Sequence, residues 1–213
     1  MSRLTDNLDS IANHIRQGFK AKDAAREKAL PLCREAIRYC ANAILAMHRQ
    51  EFDKAQELLK QARNLLNEVE QAIATCNQLS STGFLRDAQK EFAEGSITLA
   101  LITGKELPSP DELGVDYAAY LNGLGEAVGE LRRYLLDSMR KGDLSRGEEL
   151  LEAMDDIYNV LVTMDFTDAI TGSLRRTTDM VRGVLERTRS DLTLAIQQKS
   201  LENRLEKFRG NLQ

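Results

Sequence analysis

The stretches FLRDAQKEFAEGSITLALI at residues 84–102 and DYAAYLNGLGEAVGELRRYLLDSMR at residues 116–140 decide the fold class. Both are rich in Ala, Leu, Glu and Arg, which are strong helix formers. The whole chain of 213 residues keeps this usage, with 3 prolines and no tryptophan. Because no window of it has the pattern of a strand, the sequence predicts an all-α protein.

Hydrophobic periodicity and the Gly, Pro and Ser residues between periodic segments predict six helices. They run over about 4–49, 52–76, 84–102 and 116–140, then from Asp143 or Ser145 to 164, and from an N-cap at Ser173 to 208. Pro31 is expected to kink or restart the first helix. Asn77 to Gly83 is predicted to be a loop. The short connections indicate one domain, residues 1–213, built as a bundle of six to seven helices.

Composition limits the class of protein. The chain is 42% hydrophobic and 29% charged, which is ordinary globular usage. It has neither a secretory signal nor a run of about 18 apolar residues, so we expect a cytoplasmic protein and no membrane span. The cysteines Cys33, Cys40 and Cys76 lack the spacing of a metal site and are expected to be buried, reduced thiols.

Charge is distributed unevenly along the chain. Residues 1–49 and 171–213 each hold 9 Lys and Arg against 5 Asp and Glu, whereas residues 50–170 hold 11 against 23. The net charge of −4 argues against a surface that coats nucleic acid generally. Basic ends could still present a local positive surface, although solvated helix faces would give the same pattern.

Two close pairs of carboxylates lie on the central helices. Glu91 and Glu94 are spaced i, i+3, and Glu126 and Glu130 are spaced i, i+4, so each pair shares one helix face. Oxygen ligands of this kind suit Mg²⁺, which beside a phosphodiester can activate water. The alternative is that these are solvated surface glutamates.

Glycines and histidines bear on that choice. Gly95, Gly123, Gly125 and Gly129 each cost about 1 kcal/mol within a helix relative to alanine, so close helix packing or room for a ligand is expected to compensate. His14 and His48 are too few for a histidine-rich zinc site or a di-iron bundle, and His48 is expected to stabilise a helix C-terminus. No phosphate-binding glycine loop or nucleophile elbow occurs.

Several motifs together resemble the translin/TRAX family. They are Val115-Asp116-Tyr117, GEAVGEL at 125–131, Asp137-Ser138, KGDLSR at 141–146, and SLRR at 173–176 followed by Asp179. Each motif alone has low specificity, but the order and spacing of the motifs are more specific. Together the motifs span most of the chain.

The resemblance implies a translin-type helical bundle that assembles into a hollow, octameric shell. Because the chain is compact, we expect a homo-oligomer. The shell would bind single-stranded or short structured RNA on its inner surface, with single-stranded DNA as a further ligand. TRAX-type subunits are Mg²⁺-dependent endoribonucleases, in which Mn²⁺ is expected to substitute, whereas translin-type subunits mainly bind nucleic acid and act as scaffolds.

The family's catalytic pattern can be placed on this sequence. Glu91-Phe92-Ala93-Glu94 matches its Glu-x-x-Glu element, Glu126 stands where the family has an aspartate, and Glu130 matches the adjacent glutamate. The resemblance therefore assigns Glu91, Glu94 and Glu126 to the metal and adds Glu130 as a catalytic carboxylate. Glu126 keeps the carboxylate of the family's aspartate, on a side chain that is one methylene longer.

RNA contacts are expected from basic residues, which could equally be solvated helix surface because phosphate contacts leave little motif. They are Arg34, Arg38, Arg49, Arg86 and Lys90. Our leading hypothesis is an endoribonuclease in which a metal-activated water attacks the RNA phosphodiester. The alternatives are a non-catalytic RNA- or DNA-binding scaffold and a helical adaptor that touches no RNA.

Overall fold

The computed structural model describes Thr5, residues 7–74 and residues 83–210, and the regular structure in these ranges is entirely helical. The helices, in chain order, are α1 (Leu8–His48), α2 (Phe52–Ile73), α3 (Gly83–Ile102), α4 (Pro110–Leu113), α5 (Tyr117–Arg140), α6 (Gly147–Thr163), α7 (Asp168–Thr171) and α8 (Leu174–Gly210). The all-α prediction is confirmed. The six predicted helices correspond to the six long ones, and α4 and α7 are single turns inside predicted breaks.

Pro31 does not restart the first helix, since α1 is helical from Leu8 to His48, and a kink at Pro31 stays a prediction. Proline removes one hydrogen bond to the carbonyl four residues earlier. That carbonyl belongs to Glu27, and both residues lie on the exposed side of α1, where water can replace the lost donor.

The start of α6 is a second correction. Neither Asp143 nor Ser145 caps the helix, which begins at Gly147 with Arg146 as its N-cap residue. The Asp143 carboxylate instead accepts a hydrogen bond from the Ser145 amide at 2.9 Å and closes a turn before the helix. The prediction for α5 was closer, because Asp116 is its N-cap and accepts from the Ala118 amide at 2.9 Å.

Helices α3 and α5 form the centre of the bundle. They pack against each other, α1 covers α3 and α2, and α8 and α6 pack against α5. The largest side chains that are fully buried come from all six long helices and include Met47, Leu66, Ile97, Leu131, Leu150 and Leu192. None of the described helices is long and apolar enough to cross a membrane.

The cysteine prediction is confirmed for the two residues that the structure describes. Cys33 and Cys40 are buried, and burial raises the pKa of Cys33 to about 11. Cys76, most of the predicted loop 77–83 and the predicted helix start at Leu4 lie outside the described residues. Gly83 begins α3 instead of ending the loop.

Apolar side chains remain exposed at the first turns of α1. We define the α1 stripe as Leu8, Ile11, Ile15 and Phe19, which are 46–64% exposed. The second half of the helix behaves differently, since Cys33, Cys40 and Met47 are buried against the bundle. The described part of the chain therefore leaves the α1 stripe uncovered.

Candidate metal centre

Three carboxylates meet between the central helices. Glu91 and Glu94 project from α3 and Glu126 from α5, and one oxygen of each lies within 4.8 Å of an oxygen of both others. Glu94 is only 8% exposed, whereas Glu91 and Glu126 are half-buried. The structure thus brings together the three residues predicted to bind metal, and we call them the carboxylate trio.

Glycine permits this close approach of α3 and α5. A Cβ atom on Gly123 would lie 2.7 Å from the carbonyl oxygen of Lys90 and 2.9 Å from the amide nitrogen of Glu94. Because those atoms are backbone, no side chain could move aside to make room. Gly123 therefore allows α5 to touch α3 at the position of Glu94.

The other glycines bear out the packing argument in part. A Cβ on Gly125 would meet the Thr177 side chain, and one on Gly95 would lie 2.9 Å from Leu59. Gly129 differs, because a Cβ there would have no atom within 4 Å. Packing therefore does not compensate Gly129, where the alternative of room for a ligand stays a prediction.

Burial and like charges perturb the trio. Burial first, and then the charges of Glu91, Glu126 and Glu130, raise the pKa of Glu94 to about 8. Burial also raises the pKa of Glu91, against the opposing effect of Lys90. The same carboxylates affect Cys40, since burial and then the charges of Glu91 and Glu94 raise the pKa of its thiol to about 12. Near neutral pH the ion-free trio therefore holds a proton, chiefly on Glu94.

Lys90 is the counterion of the trio. Its ammonium lies 2.7 Å from an oxygen of Glu126 and 3.7 Å from an oxygen of Glu91. Burial lowers the pKa of Lys90, but the hydrogen bond with Glu126 and the nearby carboxylate charges outweigh burial and raise it. Lys90 was predicted to contact RNA, and the structure places it among the carboxylates.

Glu130 lies beside the trio but has its own partner. One of its oxygens is 2.5 Å from Nε2 of His48, whose side chain is 6% exposed. His48 Nδ1 is buried without a hydrogen-bond partner among the described residues, so the ring makes its polar side-chain contact through Nε2. His48 is the basic residue of the last turn of α1, as predicted, and its buried ring also holds Glu130.

The arginines predicted to contact RNA fall into two groups. Arg34 and Arg38 are exposed on the side of α1 opposite its buried residues, Arg49 is exposed directly after the helix, and Arg38 pairs with Glu35 at 2.9 Å. Arg86 lies instead in a cleft next to the trio, whose other lining residues include Lys90 and Glu126. The structure thus brings Arg86 and Lys90 to the site and leaves Arg34, Arg38 and Arg49 apart from it.

Asn122 is a buried residue that sequence reasoning missed. Its Nδ2 donates to the carbonyls of Ala118 and Thr171, both at 2.8 Å, and its Oδ1 accepts from Thr177 at 2.7 Å. It thereby joins α5 to α7 and α8. A polar residue directly before Gly123 in an otherwise apolar helix face was the signal that could have found it.

The donor set of the trio fits a hard divalent cation. All its ligand atoms are carboxylate oxygens, which Mg²⁺ and Mn²⁺ prefer, and the protonated Glu94 could become ionised when a cation replaces its proton. Thiolate or imidazole ligands, which zinc prefers, are absent from this group.

Comparisons with known proteins agree with this architecture. No protein-family model matches the chain. An uncharacterized protein of Methanocaldococcus jannaschii is 31% identical over 212 residues, which cover 97% of this chain and 90% of that protein. The structure of AfC3PO with duplex RNA is 32% identical, with a TM-score of 0.78, and the match covers 88% of this chain and 97% of that one.

Two further solved structures are similar. The crystal structure of AfC3PO is 31% identical with a TM-score of 0.77, over 88% of this chain and 97% of that one. Apo-NeC3PO is 20% identical with a TM-score of 0.74, over 92% of this chain and all of that one, and so shows the fold alone. With the motifs at 115–117, 125–131, 141–146 and 173–176, these similarities show that the chain belongs to the translin/TRAX family, which includes the C3PO proteins.

Proposed function

We propose that this protein is a Mg²⁺-dependent endoribonuclease that cleaves single-stranded or short structured RNA. The observation that carries the proposal is the convergence of Glu91, Glu94 and Glu126 from two helices, with Glu94 buried. Burying a carboxylate among like charges destabilises a protein, so an arrangement of this kind indicates a functional site. A scaffold that only bound RNA would not need it.

RNA is the ligand that the comparisons favour. A solved relative at 32% identity is a complex with duplex RNA. This supports nucleic-acid binding by the present chain, and we take RNA as the substrate and single-stranded DNA as a further ligand.

The trio would hold Mg²⁺, with Mn²⁺ able to substitute. When bound, such an ion supplies Lewis acidity, which lowers the pKa of water and stabilises charge that develops on a phosphodiester. Glu94 would hold the ion as a carboxylate, its proton having passed to solvent, and Lys90, which now pairs with Glu126, would leave that oxygen. Glu130, held by His48, adds negative charge next to Glu94 without joining the trio.

We also propose that the protein assembles with copies of itself, as an octameric shell. The α1 stripe is exposed, and so are Tyr117, Phe166 and Ile170, which line an apolar groove of about 730 Å³ between α5, α6 and α7. Contiguous exposed apolar surface of this kind marks an interaction site. A second copy is the occupant that covers both surfaces. An assembly mass of eight chains, reduced by Phe166→Asp, would support this.

The proposed activity is tested with a fluorescently labelled single-stranded RNA in Mg²⁺. We expect cleavage by the wild type, none in EDTA, and a loss of about a hundredfold or more in Glu126→Gln, since ligand loss exceeds the effect of outer partners. Glu152→Gln, an exposed acid on α6, is the matched control. RNA binding without cleavage in Mg²⁺ or Mn²⁺ would contradict the proposal and favour the non-catalytic scaffold.

A further inference from the structure

A cleft of about 400 Å³ opens directly beside the trio, where α3, α5 and the start of α8 meet. It shares Glu126 and Lys90 with the metal centre and is also lined by Arg86, Asn122, Arg176 and Thr177. A molecule that entered the cleft would therefore lie next to any group at the trio.

The guanidinium groups of Arg86 and Arg176 are available to a ligand in the cleft. Among the described residues, neither Arg86 nor Arg176 has a hydrogen-bonded or ion-paired side-chain partner. Arg132, by contrast, pairs with Asp191 at 2.7 Å. Asp87 also lines the cleft, and Lys90 is bound to Glu126. The available positive charge of the cleft is thus that of Arg86 and Arg176.

Hydrogen bonds hold the helices that form the wall of the cleft. Asn122 ties α5 to Thr171 and to Thr177 of α8 by hydrogen bonds of 2.7–2.8 Å. Gly172 and Ser173 then turn the chain with φ of 63° and 69°, and a Cβ on Gly172 would lie 3.5 Å from Nη1 of Arg86. The turn brings the N-terminus of the long helix α8 to the cleft, so the positive end of its dipole adds to the two arginines.

We propose that this cleft binds a backbone phosphate of the RNA strand, adjacent to the phosphodiester that lies at the trio. The inference rests on the proposed function for the identity of the strand. Guanidinium groups bind phosphate through paired N–H donors, and a helix N-terminus favours the same anion. Because Glu126 borders both sites, a strand held in the cleft is positioned for cleavage at the trio.

The same chemistry would recognise a terminal phosphate monoester as well as an internal phosphodiester. We assign the internal phosphodiester, because Glu126 lines the cleft and belongs to the trio, so that one strand would reach both. Oligonucleotides with and without a 5′-phosphate distinguish the two sources.

The test measures RNA binding in EDTA, so that cleavage plays no part. Fluorescence anisotropy of a short unstructured RNA is followed against KCl concentration for the wild type, Arg86→Gln and Arg176→Gln. Arg175→Gln is the matched control, since Arg175 is the neighbouring residue, is 82% exposed, pairs with Asp165 and lies outside the cleft. We expect each cleft variant to lose about tenfold in affinity. The slope of log K against log salt should fall by about 0.7, as one lost contact to a single strand predicts.

Each outcome decides something. Equal losses in Arg175→Gln, or none in Arg86→Gln and Arg176→Gln, would overturn the cleft while leaving cleavage by the wild type unaffected. An effect seen only with 5′-phosphorylated RNA would overturn the assignment to an internal phosphate. If the cleft variants lose affinity as expected but the wild type does not cleave RNA in Mg²⁺, phosphate binding by the cleft is supported and the proposed nuclease activity is contradicted.

Discussion

Replacing Glu94 by glutamine should stabilise the ion-free protein, and the gain should depend on pH. Burial and neighbouring carboxylates raise the pKa of Glu94 to about 8 from an ordinary 4.5. Between these two values the folded protein holds a proton that the unfolded chain releases. Stability therefore falls as pH rises through this window, by the linkage between proton binding and folding.

The size of the effect follows from the pKa shift. Each unit corresponds to about 1.4 kcal/mol, so at pH 8 Glu94 lowers the free energy of unfolding by as much as roughly 4–5 kcal/mol. Glutamine removes the charge but still has a buried amide, whose desolvation costs about 1–3 kcal/mol. A net gain of about 2 kcal/mol raises the Tm of a chain of this length by roughly 4–8 °C.

The assay is thermal unfolding followed by circular dichroism in EDTA, from pH 5 to pH 8.5. We expect Glu94→Gln to unfold at higher temperature than the wild type at pH 8 and to lose that advantage near pH 5. Glu70→Gln, at an exposed position of α2, removes the same charge and should show neither effect. A Glu94→Gln variant that is less stable at pH 8, or equally stabilised at both pH values, would refute the reasoning.

Three further predictions follow from the same contacts. Mn²⁺ affinity measured by calorimetry should rise about tenfold per pH unit from pH 6 to pH 8, because the ion displaces the Glu94 proton, and a pH-independent affinity would argue against this. Gly123→Ala should lower the free energy of unfolding by about 1–3 kcal/mol, because the added methyl group overpacks α5 on α3. Gly129→Ala has open space around it and should raise the free energy of unfolding by up to about 1 kcal/mol. Equal effects of the two variants in thermal melts would be inconsistent with these contacts. His48→Phe should lower kcat for RNA cleavage about 10- to 100-fold, because Glu130 loses the side chain that holds it. His48→Gln keeps a hydrogen-bond donor and should recover most of the lost kcat. Equal kcat values for the two variants would exclude a positioning role for His48.

Much of the bundle could be predicted from local sequence. The boundaries of α2, α3 and α5 fell within a few residues of the prediction, because apolar periodicity and caps such as Asp116 are local signals. The start of α6 was missed because Asp143 forms a turn with Ser145, and capping chemistry alone does not distinguish that turn from a helix start.

The site was predictable only in part. Spacing places Glu126 and Glu130 on one face, but it treats them alike. The structure separates them, because Lys90 of α3 reaches Glu126 and His48 of α1 reaches Glu130. Such pairings depend on where helices distant in sequence cross.

The cleft shows the same limit. Arg176 belonged to a recognised motif, but its position next to Arg86 depends on the turn at Gly172 and on the hydrogen bonds of Asn122. Neither feature is periodic, and the sequence therefore had no pattern that joined these residues.

A crystal soaked in Mn²⁺ tests the metal centre most directly. We expect an anomalous scattering peak bounded by carboxylate oxygens of Glu91, Glu94 and Glu126, with the Lys90 ammonium displaced from Glu126. A trio without such a peak at saturating Mn²⁺ and pH 8, where Glu94 can ionise, would contradict the proposed metal-dependent nuclease.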